Sequence, residues 1–299
     1  MLAGGAALLA AVCFAVASVL QHRTAARSPA ATGLGVGLLL HLARRPTWLF
    51  GLLASAGGLA LHAFALSAGR LVIVQPLLVC GMLFALPASV LLDRRRPSLW
   101  EWSYAGVVVT GLAVFLVASN PAAGTALADR GILGAATAVG TAAAAVAVLL
   151  AGTTARRQRA ALLGLAGGIG FGLTGALLKQ VVDQAGSAPL ELLTTWPAYA
   201  LVVIGIAGTV LVQSSYQAGS LAASLPPLTI ADPVVAVIIG AAAFGETLAA
   251  SGAAMTGQLG GLLLMGWGVL RLAARTQREA EQPTDAASQP PAGYRTRQP

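Results

Sequence analysis

Apolar residues fall in long uninterrupted runs along this chain, and the charged residues fall between them. A helix that crosses a hydrocarbon core of ~30 Å needs roughly 20 mostly apolar residues. On that rule full spans are predicted at 2–20, 48–68, 71–92, 102–118, 131–151, 160–182, 196–218, 221–244 and 252–272. The run 33–43 is apolar but short, since eleven residues at 1.5 Å each reach only about 16 Å. It extends backwards, lies in the interface or re-enters. The expected fold is an all-α polytopic membrane protein with nine or ten transmembrane helices.

The pattern also repeats. Ala68-Gly69, Leu71, Pro76 and Leu78 recur as Ala218-Gly219, Leu221, Pro226 and Leu228, at a constant offset of 150 residues. Gly111-Leu112 and Gly261-Leu262 keep the same offset. The expected organisation is a first repeat over 1–119, a turn-rich connector over 120–130, a second repeat over 131–273 and a disordered cytoplasmic tail over 274–299. Five crossings separate the copies, so they face opposite ways. Inverted halves with proline-interrupted segments are a mark of secondary transporters.

Composition narrows this further. The chain is 57% hydrophobic and 9% charged, against about a quarter charged in a soluble domain. The net charge of +8 sits in short arginine clusters between spans, which is the positive-inside pattern and argues against a nucleic-acid partner. With Arg94, Arg95 and Arg96 in the cytoplasm, Arg156, Arg157, Arg159 and the tail also fall inside. A multi-pass location in the cell membrane, with the C-terminus cytoplasmic, follows. The first run lacks a basic leader and reads as a retained helix. Trp48, Trp100, Trp102, Trp196 and Trp267 lie near span ends, as an interfacial aromatic belt requires. Cys13 and Cys80 lie within apolar runs and read as packing residues.

Few polar groups interrupt the spans. Asp232 lies about eleven residues into its span, roughly 16 Å deep. An acid there is costly and marks a site that takes a cationic substrate, a coupling proton or a metal. The structural alternative is a cap for the half-helix made by Pro233. Proline withholds a backbone donor, so Pro76, Pro226, Pro227 and Pro233 are expected to break their helices. Lys179 and Asp183, spaced i and i+4, read as an ion pair near a span end, or as Lys179 facing a cavity and meeting Asp232. His62, Gln75, Gln213, Tyr216 and Gln180 either line a polar path or bond helix to helix. Glu246 sits in a loop and reads as solvated. Gly164, Gly168 and Gly172, with Gly257 and Gly261, form small-residue ridges for close helix packing.

The basic loops, the Ala-Gly turns and the interrupted spans resemble the drug/metabolite transporter superfamily, of the EamA-like kind, most clearly over 61–116 and 210–266. Val19-Leu20-Gln21-His22-Arg23, Gln75-Pro76-Leu77, Lys179, Gln213 and Tyr216 are similar to the NIPA-type magnesium transporter branch. Where that branch often has Gln-Lys-Lys-Gly this chain has Gln21-His22-Arg23-Thr24, and its Thr-Pro is here Gln75-Pro76. The resemblance implies alternating access in a nine- or ten-helix fold. The expected function is secondary transport of a small metabolite or ion. A divalent-cation pathway is the alternative, with Asp232 as its metal ligand, and a non-transporting membrane scaffold is a third reading. The implied partners are a small-molecule or ion substrate and the lipid bilayer, and a homodimer is compatible with both. No HExxH, GxSxG or acid pair occurs, so no enzyme and no cofactor is expected.

Overall fold

Long apolar runs become helices because a backbone in hydrocarbon must satisfy its own hydrogen bonds. The computed structural model describes residues 2–26, 43–81, 83–84, 98–122, 124–125, 127–218 and 221–281. Its helices are α1 (Leu2–Ala26), α2 (Pro46–Ala68), α3 (Leu71–Leu78), α4 (Leu99–Ser119), α5 (Arg130–Gly152), α6 (Arg156–Ser187), α7 (Trp196–Ala218), α8 (Leu221–Ala243) and α9 (Gly252–Glu281), with a short 3₁₀ turn at Pro189–Leu193. Eight of these, all but α3, are long and apolar enough to cross a membrane. The protein is an all-helical, multi-pass membrane protein. Among the described residues the one departure is an isolated antiparallel bridge between Ala122 and Thr247.

The short run 33–43 lies outside the described residues, apart from its last position. The span expected over 71–92 appears as α3, followed by a turn at Val79 and Cys80; residues 85–92 lie outside. Two expectations need correction. The tail does not begin at 274, because α9 continues to Glu281. Arg275-Thr276-Gln277-Arg278-Glu279-Ala280-Glu281 is mostly strong helix formers, which carry the helix on past the apolar run. The prolines of 226–233 do not break their helix either. α8 runs through Pro226, Pro227 and Pro233, each of which withholds one rung of the hydrogen-bond ladder while neighbouring turns and flanking helices hold its course.

Helix α6 is the pillar. Its span is 67% buried inside the protein, against 17–39% for the other seven. Glycine makes this possible. On one flank Gly164, Gly168 and Gly172 meet the carbonyl oxygens of Ser224, Leu228 and Asp232 on α8. A Cβ at Gly172 would stand 2.6 Å from Asp232 O and 2.7 Å from Val235 Cβ. Contact partners rise together along both chains, so α6 and α8 run parallel and nearly backbone to backbone. On another flank Gly167 and Gly170 admit Val212 and Gly208 of α7, which runs antiparallel.

Other pairs are built alike. α1 and α2 are antiparallel, with Gly58 against Phe14 and Cys13, and Gly51 against Gln21 and Ala17. Thr24 Oγ1 and Thr47 Oγ1 lie 3.1 Å apart, so the end of α1 and the start of α2 are neighbours. α4 and α9 cross antiparallel through Gly111 and Gly261. The main core gathers Leu66, Leu71, Val74, Leu133, Leu173, Leu177, Ile239 and Phe244 toward one end of the bundle. The connectors after α4 and α8 are laced together at that end. Ala122 N donates to Thr247 O (2.9 Å), Thr125 N to Phe244 O (2.8 Å) and Ala249 N to Ser119 O (2.8 Å).

Candidate functional site

Asp232 sits at mid-length of α8, and its main-chain carbonyl meets Gly172 of α6. Its carboxylate Oδ1 is enclosed, and among the described residues no hydrogen-bond donor reaches it. An enclosed acid oxygen without a partner is costly, because desolvation is not offset by a bond. A cap would need a backbone N–H to donate to the carboxylate, and Oδ1 accepts from none.

One turn further along α6, Gly175 receives the side chain of Gln75. A Cβ there would collide with the Gln75 amide. Gln75 precedes Pro76 in α3 and is 2% exposed. Its Nε2 lies 3.4 Å from His62 Nε2 on α2, where the imidazole serves as acceptor in one tautomer. Phe14 meets the His62 ring edge-on, with centroids 6.3 Å apart. Gly172 and Gly175 are three residues apart, a rise of about 4.5 Å. The Asp232 carbonyl and the Gln75 side chain thus meet α6 at nearly one level, and His62 joins them through Gln75. That level is where the two proline-bearing helices meet the pillar. α3 and α8 also touch directly, since Gly240 leaves room for Val72 Cγ2 (3.0 Å from a Cβ there).

Lys179 does not join this group. It lies seven residues beyond Gly172 on α6, roughly 10 Å toward the laced end. Its Nζ donates to Leu66 O (3.4 Å) and Gly69 O (3.3 Å) and makes an ion-pair contact with Asp183 Oδ2 (3.2 Å). The Phe244 ring lies beneath it, 5.4 Å to the centroid. Of the two readings of Lys179, the i,i+4 ion pair is the one formed. Gln180 also serves packing, as its Oε1 accepts from Ala128 N at 2.8 Å. Gln213 and Tyr216 are half-buried near the end of α7. α7 packs on another flank of α6 and meets Gly167 through Val212, so they lie apart from the Asp232 level. Among the described residues no three His, Cys, Asp or Glu side chains come together.

Glu246 corrects the sequence expectation. It is 3% exposed, and its carboxylate accepts from Leu71 N and Val72 N, both at 2.8 Å. The first-turn N–H groups of a helix have no intrahelical partner, and a carboxylate satisfies two of them at once. Gly245 holds φ +62, a left-handed turn that glycine adopts without strain and that brings Glu246 back toward α3. Gly240 lies beside the carboxylate, with a notional Cβ 3.0 Å from Oε2. Nothing local in the sequence marks this role, because the capped helix lies 175 residues away.

A protein of Corynebacterium glutamicum, described as uncharacterized, is 32% identical to this chain over 243 residues, which cover 80% of this chain and 83% of that one. No protein-family model matches the sequence. No solved structure matches it either.

Proposed function

This chain belongs to one family with the uncharacterized Corynebacterium glutamicum protein, and we propose that it is a secondary transporter of the drug/metabolite type, working by alternating access between two inverted halves. The observation that carries the reading is Asp232: a mid-membrane carboxylate with an enclosed oxygen that has no partner among the described residues, on a residue whose carbonyl lies level with the Gln75 side chain where two proline-bearing helices meet. Intramembrane acids of this kind serve substrate or proton pathways.

The helix contacts support the inverted halves. Residues 150 apart touch reciprocally across α4 and α9: Gly111 meets Met265, Gly261 meets Phe115, and the two glycines meet each other. Val108 with Gly268 is matched by Gln258 with Ala118. Such mutual pairing is the mark of a two-fold axis. The remaining helices follow suit. Gly58 on Phe14 is matched by Gly208 on Phe171, and Gly81 on Ala11 by Ala231 on Gly168. In these pairs α1 takes the part of α6, at an offset of 157, while α2, α3 and α4 correspond to α7, α8 and α9. The arrangement is four helices, one linking helix α5, and four helices. Thr24 beside Thr47 puts the end of α1 and the start of α2 on one side, which supports nine spans. The basic clusters at Arg44-Arg45, Arg94–Arg96 and Arg156–Arg159 then share the cytoplasmic side, and the laced end faces outward.

The test is uptake into proteoliposomes of a panel of labelled metabolites, and of Mg²⁺, with and without a pH gradient. Asp232→Asn keeps the shape and removes the charge. Transport is expected to fall at least tenfold, or to lose its response to the gradient, with unchanged membrane insertion. Unchanged uptake and unchanged gradient response in Asp232→Asn exclude the charge-based role. The Mg²⁺ arm addresses the second reading, a divalent-cation path. One observation favours it: Lys179, which would repel a cation at Asp232, is drawn away to Asp183 and α2. Mg²⁺ keeps most of its waters and needs only one or two carboxylates.

A further inference from the structure

The turn between α2 and α3, at Gly69 and Arg70, is gripped by charged groups of both signs. Lys179 reaches the last carbonyls of α2, at Leu66 and Gly69. Glu246 accepts the first N–H groups of α3, at Leu71 and Val72. A helix carries partial negative charge at its C-terminus and partial positive charge at its N-terminus. The cation is therefore on the negative end and the anion on the positive end of the two helices that meet at this turn. Both charged groups are buried, at 7% and 3% exposed. Both come from beyond the connector, and Phe244 joins them, lying under Lys179 and two residues before Glu246. Arg70, within the turn, donates to Pro121 O. Between these grips lie Leu66, Leu71 and Val74, each 0% exposed.

We infer that Lys179 and Glu246 form a two-signed clamp on the α2–α3 turn, a latch that holds the laced side shut and must release for that side to open. This rests on the alternating-access reading, and it adds the step that the reading lacks. Glu246 has no acid as its repeat counterpart: one offset earlier the chain has Arg96, a donor that accepts nothing.

The latch is testable without knowing the substrate. In full-length protein lacking Cys13 and Cys80, a cysteine is placed at Val74, one turn inside α3. Reconstituted protein is treated from the laced side with a charged, membrane-impermeant methanethiosulfonate, and the modification rate is measured. A second reporter, Leu112→Cys, sits in a separate core with Met265 and Val269. Glu246→Gln and Lys179→Met are each expected to raise the rate at 74 by on the order of tenfold, while 112 stays protected. Protection at 74 that survives both substitutions overturns the clamp. Exposure of both 74 and 112 overturns it as well, because the whole bundle has then loosened. Uptake by Asp232→Asn and labelling at 74 are separate readouts, so the transport reading and the latch fail separately.

Discussion

Asp232 and Glu246 are both acids at the α8 end of the chain, and their legibility differs for a physical reason. Asp232 stands inside an apolar run, where its cost is evident from neighbours alone. Glu246 follows a run and looks like a loop acid, and its burial depends on a helix far away in sequence. Lys179 was legible as half of an i,i+4 pair, whereas its grip on α2 is tertiary. The glycines were legible as a ridge, and their partners were not. They carry a direct prediction. Gly168→Leu or Gly172→Val drives a side chain into α8 backbone, and overpacking of this kind costs about 1–3 kcal/mol. Gly186, also on α6, has nothing within 4 Å of a notional Cβ. Gly186→Ala is expected to leave thermal stability unchanged or raised by up to about 1 kcal/mol. Melting curves in one detergent compare the three, and equal effects at 172 and 186 would refute close α6–α8 packing.

At the scale of elements, apolar runs read as spans gave helices close to those observed. The run 196–218 matches α7 residue for residue. Proline was the weaker guide. It marks where a ladder loses a rung, but parallel support from α6 keeps α8 on course. α9 overran its expected end because hydropathy sets where the apolar span stops, at Arg271, whereas helix propensity carries the helix on to Glu281. Which side each connector faces is open to measurement. Leu190 is 86% exposed between α6 and α7, and Arg157 is exposed at the start of α6. Single cysteines at these positions, in a background without Cys13 and Cys80, are treated with an impermeant maleimide on intact cells. Position 190 is expected to react and 157 to be silent until the cells are opened. The reverse pattern inverts the proposed orientation.

For the whole molecule, the constant offset of 150 residues was visible in sequence, but the contact between repeat-related residues was not. Gly111 and Gly261 touch because each lies on the proposed axis. A bulky residue at either position meets the backbone of the other helix, at Met265 N or Phe115 N. Gly111→Leu and Gly261→Leu are expected to lower the melting temperature by similar amounts. The double variant is expected to cost less than the two costs added together, by about 0.5–3 kcal/mol, because both disrupt one crossing. Strict additivity would show that the two sites are independent.

Helix α5 gains a meaning from this arrangement that its own residues do not disclose. It is Ala-rich and among the least buried of the spanning helices, at 17%. A four-helix unit copied end to end would insert twice in the same sense, because an even number of crossings returns the chain to its starting side. One extra crossing turns the second copy upside down. On the proposed arrangement α5 is a parity element: its contribution is to be odd. Its sequence is then constrained mainly by length and apolarity, while every pairing across the two-fold axis depends on its presence.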